Sequence, residues 1–579
     1  MRLKALEATI RTPIVAIVLS CATAIGAAAQ PPGANGQPAA GDGAAVGQAI
    51  PVESALVRSK CGGCHRPDAR NVMSRISFRR ASPENWQRTI ERMVTLNHAA
   101  VSATEARDIL KYLSDHHGLA PEETRPVSFE LERRVIEYTW SGDADTAALC
   151  QACHSIGRVM AERRTSEEWG LLLAMHRGYY PLVDNQPMNN GQGFRRSRAL
   201  PPEATDTRQP MDKVIAYLAK TYPLITPEWT AWTAAAGSVS LAGRWAVKAN
   251  VPGKGPAFGE MTVTADAASP DSYTTSTTLK IARTGESLTR TGKGLVYTGY
   301  QWRGRDADSA RPDDPWRQVM LLERNRTEMS GRWFTGAYDE TGVDVKLTRI
   351  ASAPLVIGTG EMSLRRGTTS SVHVFGANLP SVVAAEVSLG QGVRVSQVSD
   401  ASPGGVTLRV EVAADAPTGP RDLALGGTAL PAALVVYQKI DGIRVQPRSG
   451  LARVGGIVFP KQFQQFEAMA LAAGPDGRTG TEDDIPLGLV SATWTMEEYT
   501  ATFEDDDTRF VGKMDPSGLF TPEVDGPNQE RRGNRNNVGD VWIVATYMPE
   551  GASEPMRARG HLLVTVPLYM RWMTSEAGK

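Results

Sequence analysis

Apolar and polar positions recur with different periods in the two parts of this chain. In the first part, apolar residues return at helical spacing, as in ILKYL at 109–113 and VIAYL at 214–218, which predicts amphipathic helices. From about residue 233, segments rich in Thr, Val and Tyr alternate apolar and polar residues between Gly-rich turns, a pattern typical of antiparallel strands. We therefore predict a multidomain chain in which helical modules come first and β domains follow.

Changes in these patterns divide the chain of 579 residues into seven segments. That length corresponds to about four domains of typical size, so several cores are expected. The predicted segments are 1–29, a signal peptide; 30–49, a disordered leader; 50–123 and 124–232, two helical modules; 233–351, a β-barrel domain; 352–438, an immunoglobulin-like β-sandwich; and 439–579, a C-terminal β-sandwich.

The first segment predicts export. Arg2, Lys4 and Arg11 precede an apolar stretch that begins at 14–19, and the three alanines at 27–29 fit a cleavage site of the A-x-A type. A short membrane anchor is the alternative, but the apolar run is too short and too rich in Ala to span a bilayer comfortably. We therefore expect a periplasmic protein with a cleaved signal peptide and no membrane span.

The charge balance excludes one class of function. Lys+Arg and Asp+Glu are both 63, so the formal net charge is zero. A protein that binds nucleic acid or an acidic membrane by bulk attraction needs a large excess of positive charge. Nucleic acid is therefore not an expected partner, although local charged patches remain compatible with this composition.

The cysteines of the exported chain form two matching motifs, CGGCH at 61–65 and CQACH at 150–154. C-x-x-C-H is the attachment motif of c-type haem, in which each thiol adds to one vinyl group and the adjacent His binds the iron. A redox C-x-x-C pair or two halves of a zinc site would not require a His at the same position in both motifs. We predict two covalent c-type haems, attached through Cys61, Cys64, Cys150 and Cys153, with His65 and His154 as iron ligands.

The two motifs belong to an internal repeat. RRASPENW at 79–86 follows the first motif and RRTSEEW at 163–169 follows the second; both contain two Arg, a Ser expected to cap a helix, an acidic residue and a Trp. A closing amphipathic helix ends each repeat, and a helix over 128–140 is expected before the second motif. This order resembles the class I cytochrome c module, so the first part of the chain is predicted to be a dihaem pair of such modules.

The sixth iron ligands are less clearly indicated. In the first repeat we favour His98, because it lies in the loop before Thr104, the expected cap of the closing helix, where single-haem cytochromes c carry this ligand. The other candidates are Met73, Met93, His116 and His117. His116 and His117 are expected to be solvated, because they follow the closing helix.

In the second repeat this loop is longer, and Met188 is the favoured ligand. Met175, His176 and Met211 are the alternatives. The first haem would then have two His ligands and the second a His and a Met, and a Met ligand raises the reduction potential. Met93 and Met175 follow Trp86 and Trp169 at similar spacing, so both are expected to be packing residues of the middle helix.

We find no catalytic constellation in the β segments. The Asp- and Gly-rich stretch at 474–484 suggests calcium, but it lacks the ligand spacing and closing Glu of an EF-hand, so a plain turn is preferred. We therefore predict no catalytic residue in this chain.

Export, two C-x-x-C-H modules with the W-x(5–6)-M…YL repeat, and three β domains in this order resemble the α (dihaem) subunit of quinohaemoprotein amine dehydrogenase. The resemblance implies a periplasmic heterotrimer with a β-propeller subunit and a small γ subunit. The γ subunit would carry a quinone made from its own Cys and Trp, which oxidises primary amines to aldehydes and ammonia. This chain would accept the electrons and pass them to a blue-copper protein or a small cytochrome c. A dihaem cytochrome c peroxidase, a free electron carrier and the haem subunit of another periplasmic dehydrogenase are the alternatives.

Overall fold

The computed structural model describes residues 49–127, 142–150, 154–180, 183, 208–235, 240–267, 269–500 and 505–567. The predicted signal peptide, most of the predicted leader and the predicted helix over 128–140 lie outside these residues. The helices are α1 (Ala55–Cys61), α2 (Pro83–Asn97), α3 (Ala103–His116), α4 (Pro121–Thr124), α5 (Ala144–Cys150), α6 (Gly157–Met160), α7 (Ser166–Tyr179), α8 (Pro210–Thr221), α9 (Pro227–Ala235) and α10 (Asp507–Phe510). Within the described part of the chain, no helix combines the length and the apolar character needed to cross a membrane.

Short polar side chains begin the long helices of both modules. The Ser82 hydroxyl accepts a hydrogen bond from the Asn85 backbone N–H at the start of α2, with Pro83 in the first helical turn, an arrangement that favours helix initiation. The cap of α3 is Ser102, whose hydroxyl and backbone N–H form a reciprocal capping box with Glu105. The expectation that Thr104 caps this helix was therefore wrong. In α7 the cap is Thr165, and the expected Ser is the first helical residue.

A two-stranded antiparallel sheet joins the modules. It consists of β1 (Arg79–Ala81) and β2 (Glu162–Arg164), one from each repeat. Arg80 lies opposite Arg163, and the flanking pairs are Arg79 with Arg164 and Ala81 with Glu162. The two copies of the Arg-Arg motif therefore meet at the centre of the interface between the modules.

Eight antiparallel strands then close into a barrel in the order β10-β3-β4-β5-β6-β7-β8-β9. They are β3 (Gly243–Val251), β4 (Gly255–Asp266), β5 (Ser269–Ile281), β6 (Ser287–Tyr297), β7 (Gln301–Asp308), β8 (Arg311–Leu322), β9 (Glu328–Thr335) and β10 (Thr341–Arg349). Side chains of alternate residues fill the core, in which Trp245, Trp302 and Trp333 are fully buried. The β-barrel predicted for this segment is therefore a closed barrel in the structure.

The next unit contains two four-stranded sheets, β11-β13-β16-β15 and β12-β18-β17-β14, which share one apolar core. The strands are β11 (Leu355–Thr359), β12 (Ser363–Arg365), β13 (Thr369–Ala377), β14 (Val387–Ser388), β15 (Val393–Ser402), β16 (Gly405–Val412), β17 (Gly419–Leu425) and β18 (Thr428–Tyr437). Buried residues such as Val372 and Leu408 come from the first sheet, and Leu423 and Leu434 from the second. The immunoglobulin-like assignment stays a prediction.

Three sheets form the last unit: β19-β22-β23, β20-β28-β27-β24 and β21-β26-β25. The strands are β19 (Gly442–Gln446), β20 (Ser449–Arg453), β21 (Gln464–Gln465), β22 (Glu467–Ala472), β23 (Ile485–Leu489), β24 (Thr493–Glu498), β25 (Gly512–Met514), β26 (Leu519–Pro522), β27 (Gly539–Tyr547) and β28 (Met556–Thr565). Phe466, Phe520, Ile543 and Leu562 meet in its core. The sequence predicted a β-sandwich, which has two sheets, whereas the structure has three separate sheets here.

The barrel holds the first helical module in place. Tyr297 of β6 belongs to the apolar cluster of that module. Arg303 of β7 and Glu84 of α2 form a buried ion pair, with an Nε–Oε1 distance of 2.6 Å. The Tyr300 hydroxyl lies 2.9 Å from the Leu119 carbonyl oxygen and donates to it. The surroundings of the first C-x-x-C-H motif therefore depend on the β part of the chain.

Candidate haem-binding sites

The first C-x-x-C-H motif is a tight turn at the end of a helix. Helix α1 ends at Cys61, and the backbone N–H groups of Cys64 and His65 donate to the Cys61 carbonyl oxygen at 3.3 and 2.9 Å. Both cysteines are free thiols; Cys61 is half-buried and Cys64 is exposed. The turn therefore presents two thiols and an imidazole within five consecutive residues, as attachment to haem requires.

His65 has the properties of an iron ligand. Burial lowers the pKa of His65; a hydrogen bond to the backbone at Ser74 opposes this effect, and the charge of Arg75 adds to it. A neutral imidazole is the form that binds a metal, and a hydrogen bond from one ring nitrogen orients the other toward it. His65 therefore fits the ligand role predicted for it.

An apolar cluster surrounds the first motif. Cys61 packs against a core that includes Met73, Trp86, Ile109 and Leu113, contributed by the segment after the motif and by α2 and α3. The macrocycle of haem is a large apolar plate, and burial of apolar area stabilises such a group in a protein. The side chains around Cys61 therefore fit the group that the motif predicts.

The two described residues of the second motif, Cys150 and His154, are placed as Cys61 and His65 are in the first. Helix α5 ends at Cys150, and the His154 backbone N–H donates to the Cys150 carbonyl oxygen at 3.4 Å. The His154 Nδ1 lies 2.9 Å from the Ser155 carbonyl oxygen, so a proton on Nδ1 leaves Nε2 for a metal. Burial, followed by the charge of Arg158, lowers the pKa of His154 to about 4. Cys153 lies outside the described residues.

The clusters behind the two motifs also correspond. Cys150 packs against Trp169, Val214 and Leu218 of α7 and α8. The Trp169 Nε1 donates to the carbonyl oxygen that ends the closing helix, at Tyr222, with a distance of 3.2 Å. In the first module, Trp86 makes the equivalent bond to His117 at 3.0 Å. The predicted repeat is therefore present in side-chain contacts as well as in sequence.

A buried charge network fills the interface between the modules. Glu162 accepts hydrogen bonds from Arg79 at 2.5 and 2.7 Å and lies 2.9 Å from Arg164. Glu123 accepts from Arg80 at 2.7 and 3.0 Å and from Arg163 at 3.0 Å. All six side chains are buried. The duplicated Arg pairs are visible in the sequence, but no local pattern connects them with these two glutamates.

Models of four protein domains match the chain. The alpha-subunit haem-binding domain of quinohemoprotein amine dehydrogenase A matches residues 52–229. Domains II, III and IV of the quinohemoprotein amine dehydrogenase alpha subunit match residues 238–350, 354–438 and 443–577. The chain belongs to the quinohemoprotein amine dehydrogenase alpha subunit family. Membership confirms the resemblance stated from the sequence, and the haem-binding match contains both C-x-x-C-H motifs.

Other comparisons add little to the family assignment. A search of curated proteins found no match. Among solved structures, a redesigned β-barrel, b11L5F_LGL, is 17% identical over 19% of this chain and 92% of its own, with a TM-score of 0.17. A second redesigned barrel, mFAP1 bound to DFHBI, is 18% identical over 19% and 94%, also with a TM-score of 0.17. Structural similarity this low supports no inference about function.

In this alpha-subunit chain, His98 lies at the end of α2 with a left-handed backbone conformation (φ 54°) and an exposed ring. The Lys60 Nζ donates to the Ala100 carbonyl oxygen at 3.2 Å, which ties the loop of His98 to the residue before Cys61. Val101 packs on the same cluster as Cys61. The loop is therefore part of the first site, and the ligand role of His98 stays a prediction.

The other ligand candidates of the first module occupy different environments. Met73 is fully buried, Met93 is half-buried on α2, and His116 is exposed with its ring 4.5 Å from that of Tyr112. The expectation that His117 is solvated was wrong, because it has no exposed surface. The backbone at His117 lies in the interior of the module, because the Ala81 N–H and the Trp86 Nε1–H both donate to the His117 carbonyl oxygen.

We expect the substitution His98→Ala to convert the haem at the first motif from low-spin to high-spin or water-ligated iron, because one strong axial ligand is lost. Electron paramagnetic resonance of the oxidised protein measures this change. His116→Ala, at the exposed end of α3, is the matched control. An unchanged low-spin signal in His98→Ala would mean that another residue binds this iron.

In the second module, Met188 lies outside the described residues. Met175 is half-buried on α7, and Met211 is buried on α8. The His176 Nδ1 lies 2.8 Å from the Leu172 carbonyl oxygen. The charge of His176 is among the influences that lower the pKa of His154, so His176 lies near the predicted iron ligand. Met188 stays the predicted ligand, with Met175, His176 and Met211 as the alternatives.

For the second haem, Met188→Ala is expected to abolish the near-infrared absorption band of a Met–iron bond, because the thioether is removed. Met175→Ala should keep the band. If the band persists in Met188→Ala, Met175 or Met211 becomes the thioether ligand. If wild-type protein shows no such band, His176→Ala becomes the decisive variant.

The Asp-rich stretch at 474–484 behaves as a turn. Carboxylates of Asp476, Asp483 and Asp484 accept hydrogen bonds from backbone N–H groups of the same stretch. Over the described ranges, the acidic group close enough to share a metal is instead Glu498, Asp505 and Asp507, and the Asp507 carboxylate pairs with Arg531. The preference for a plain turn over a calcium site at 474–484 stays a prediction.

Proposed function

We propose that this chain is the dihaem, c-type electron-transfer subunit of a periplasmic quinohaemoprotein amine dehydrogenase. Family membership assigns it to the alpha subunit of an amine dehydrogenase with a haem-binding domain. The two covalent haems, the partners and the location are the finer parts of the proposal. The observation that carries it is the pair of matching sites, in which Cys61 and Cys150 each end a helix against an apolar cluster.

The residues of the chain have separate tasks in this proposal. Cys61, Cys64, Cys150 and Cys153 attach the haems, and His65 and His154 bind the irons. The clusters around Trp86 and Trp169 would give the haems an apolar surface next to Cys61 and Cys150. Haem supplies reversible one-electron chemistry at iron. The buried network around Glu123 and Glu162 holds the modules together, which favours a constant distance between the two sites.

The proposed partners follow the family. A β-propeller subunit and a small γ subunit would complete a heterotrimer, and the γ subunit would carry a quinone formed from its own Cys and Trp. Oxidation of a primary amine with water gives an aldehyde, ammonia, two protons and two electrons. The electrons would enter this chain one at a time and leave to a blue-copper protein or a small cytochrome c. This chain would not itself act on amines.

Anaerobic addition of a primary amine to the purified complex tests the proposal. We expect the haem absorption bands to change to those of the reduced state, with aldehyde and ammonia as products. A tertiary amine, which cannot condense with a quinone carbonyl, is the matched control and should leave the haems oxidised. Haems that stay oxidised with every primary amine, together with turnover of hydrogen peroxide, would instead indicate a dihaem peroxidase.

A further inference from the structure

A polar cavity lies between the barrel and the last β unit. Its volume is about 770 Å³, which is within the range of cavities that hold small organic ligands. Residues of β3, β9, β10 and the turn between β9 and β10 line one side, and residues of β19, β20, β21 and β22 line the other. None of its lining residues belongs to the helical modules, so the cavity is separate from both predicted haem sites.

The barrel side of the cavity is a row of polar side chains across three strands. Asn250 of β3 is the register partner of Asp344 of β10, which is also paired with Arg332 of β9. The adjacent residues Val343 and Trp333 belong to the barrel core, so the three polar side chains point outward. The Arg332 Nε lies 3.5 Å from the Asp344 Oδ1, and this ion pair compensates both charges.

The last unit forms the opposite wall by the same alternation. Val445 of β19 and Ala468 of β22 belong to its apolar core. Arg444, Gln446 and Glu467 therefore lie on the other face of this sheet, where they line the cavity. Gln446 and Glu467 are register partners, so their side chains are neighbours on that face.

Two hydrogen bonds join the walls. The Gly253 backbone N–H donates to the Glu467 Oε1 at 2.6 Å, and the Tyr338 hydroxyl donates to the Pro460 carbonyl oxygen at 2.7 Å. The walls also approach closely, because a Cβ at Gly253 would lie 2.7 Å from the Gln465 side chain. The cavity is therefore formed without a ligand, which lowers the ordering cost of binding.

The acidic side chains of the cavity already have partners within the protein. Glu467 accepts the bond described above, the Glu340 Oε2 accepts from the Tyr338 backbone N–H at 2.8 Å, and Asp339 lies 3.8 Å from Arg317. Burial raises the pKa of Glu340 to about 7, which reduces its negative charge near neutral pH. Among the described residues, these acids do not form a group close enough to share a metal ion.

Two arginines of the cavity are not compensated in this way. Arg444 is half-buried and Arg448 is exposed. In the part of the chain that the structure describes, neither guanidinium has a hydrogen bond or an ion pair, and the Gln446 side-chain amide between them in sequence also has no partner. Guanidinium groups bind carboxylate and phosphate oxygens through paired hydrogen bonds. An anion is therefore the ligand that completes this wall.

We propose that the cavity binds a small organic anion, whose carboxylate or phosphate group is held by Arg444 and Arg448 with the Gln446 amide beside them. The volume leaves room for a carbon skeleton, for which Leu451 and Pro447 supply apolar surface. Binding would stabilise the contact between the barrel and the last unit, because a ligand stabilises the state that binds it. This inference depends neither on the haems nor on amine oxidation.

Isothermal titration calorimetry on the fully assembled, matured protein tests this proposal. Succinate and glycerol phosphate are the probes, because they present a carboxylate and a phosphate on short carbon skeletons, and succinamide is the uncharged control ligand. We expect one or both probes to bind and succinamide not to bind. Arg444→Gln should weaken binding by about tenfold or more, since a charge-assisted interaction is lost.

Arg448→Gln should act in the same direction, and because Arg448 is exposed, this variant tests the site even if Arg444→Gln fails to fold. Arg478→Gln, in an exposed turn away from the cavity, is the matched control and should bind as wild type does. Preference for succinate or for glycerol phosphate identifies the anionic group. Binding of neither probe, equal binding of succinamide, or wild-type affinity in both cavity variants would overturn the proposal.

Discussion

Replacing Glu123 with Gln is expected to destabilise the paired modules by about 3–5 kcal/mol, the cost typical of breaking a buried ion pair. The Glu123 carboxylate is the acceptor shared by Arg80 and Arg163, and Arg80 has no exposed surface. The amide of Gln would leave two buried guanidinium groups without their anion. Guanidinium chloride unfolding, followed by haem absorbance, reports on this part of the molecule.

Glu122→Gln is the matched control for this variant. The neighbouring Glu122 pairs with Arg324 at the surface, with an Oε1–Nε distance of 2.8 Å, and exposed pairs contribute at most about 1 kcal/mol. Equal losses of unfolding free energy in Glu122→Gln and Glu123→Gln would contradict the structural role assigned to Glu123.

Acid should reduce the effect of Glu123→Gln. Burial alone would raise the pKa of Glu123, but the hydrogen bond from Arg80 and the charges of Arg163 and Arg80 outweigh it and lower the pKa to about 2 from the ordinary value of 4.5. A carboxyl whose folded pKa is depressed stabilises the fold above its unfolded pKa and loses this contribution as pH falls toward the folded value. The difference in unfolding free energy between wild type and Glu123→Gln should therefore be largest near neutral pH and decrease between about pH 5 and pH 2.

The double variant Cys150→Ala/Cys153→Ala is expected to reduce the covalent haem content from two to one per chain. Both thioether bonds of the second site require these thiols, and no other Cys remains in the predicted mature chain. The pyridine haemochrome assay on denatured protein counts the attached haems.

Cys61→Ala/Cys64→Ala is the reciprocal control and should also leave one haem. The variant lacking all four cysteines should contain none. Two covalent haems in either double variant would contradict the attachment sites, and amine-dependent reduction of the remaining haem would identify the site that receives electrons first.

Local signals in the sequence predicted the chemistry of this chain better than its packing. The C-x-x-C-H spacing indicated haem because covalent attachment and iron binding need those residue types within five positions, and the family match contains both motifs. Period-two alternation predicted the β part for a similarly local reason, since neighbouring side chains of a strand point to opposite faces. The alternation does not show which strands pair, and the pairing of β3 with β10 that closes the barrel joins the first and last strands of that domain.

The sequence by itself determined that the chain has two matching C-x-x-C-H motifs, a helical first part and a β remainder. Only the tertiary structure decided that the two Arg-Arg segments pair with each other, that Glu123 from between the repeats joins them, and that His117 is buried. The physical reason is distance along the chain. The residues of a motif are neighbours in sequence, so the motif can be recognised locally. Arg88 and Arg158, which both act on His154, are more than sixty residues apart and come together only when the two modules pack.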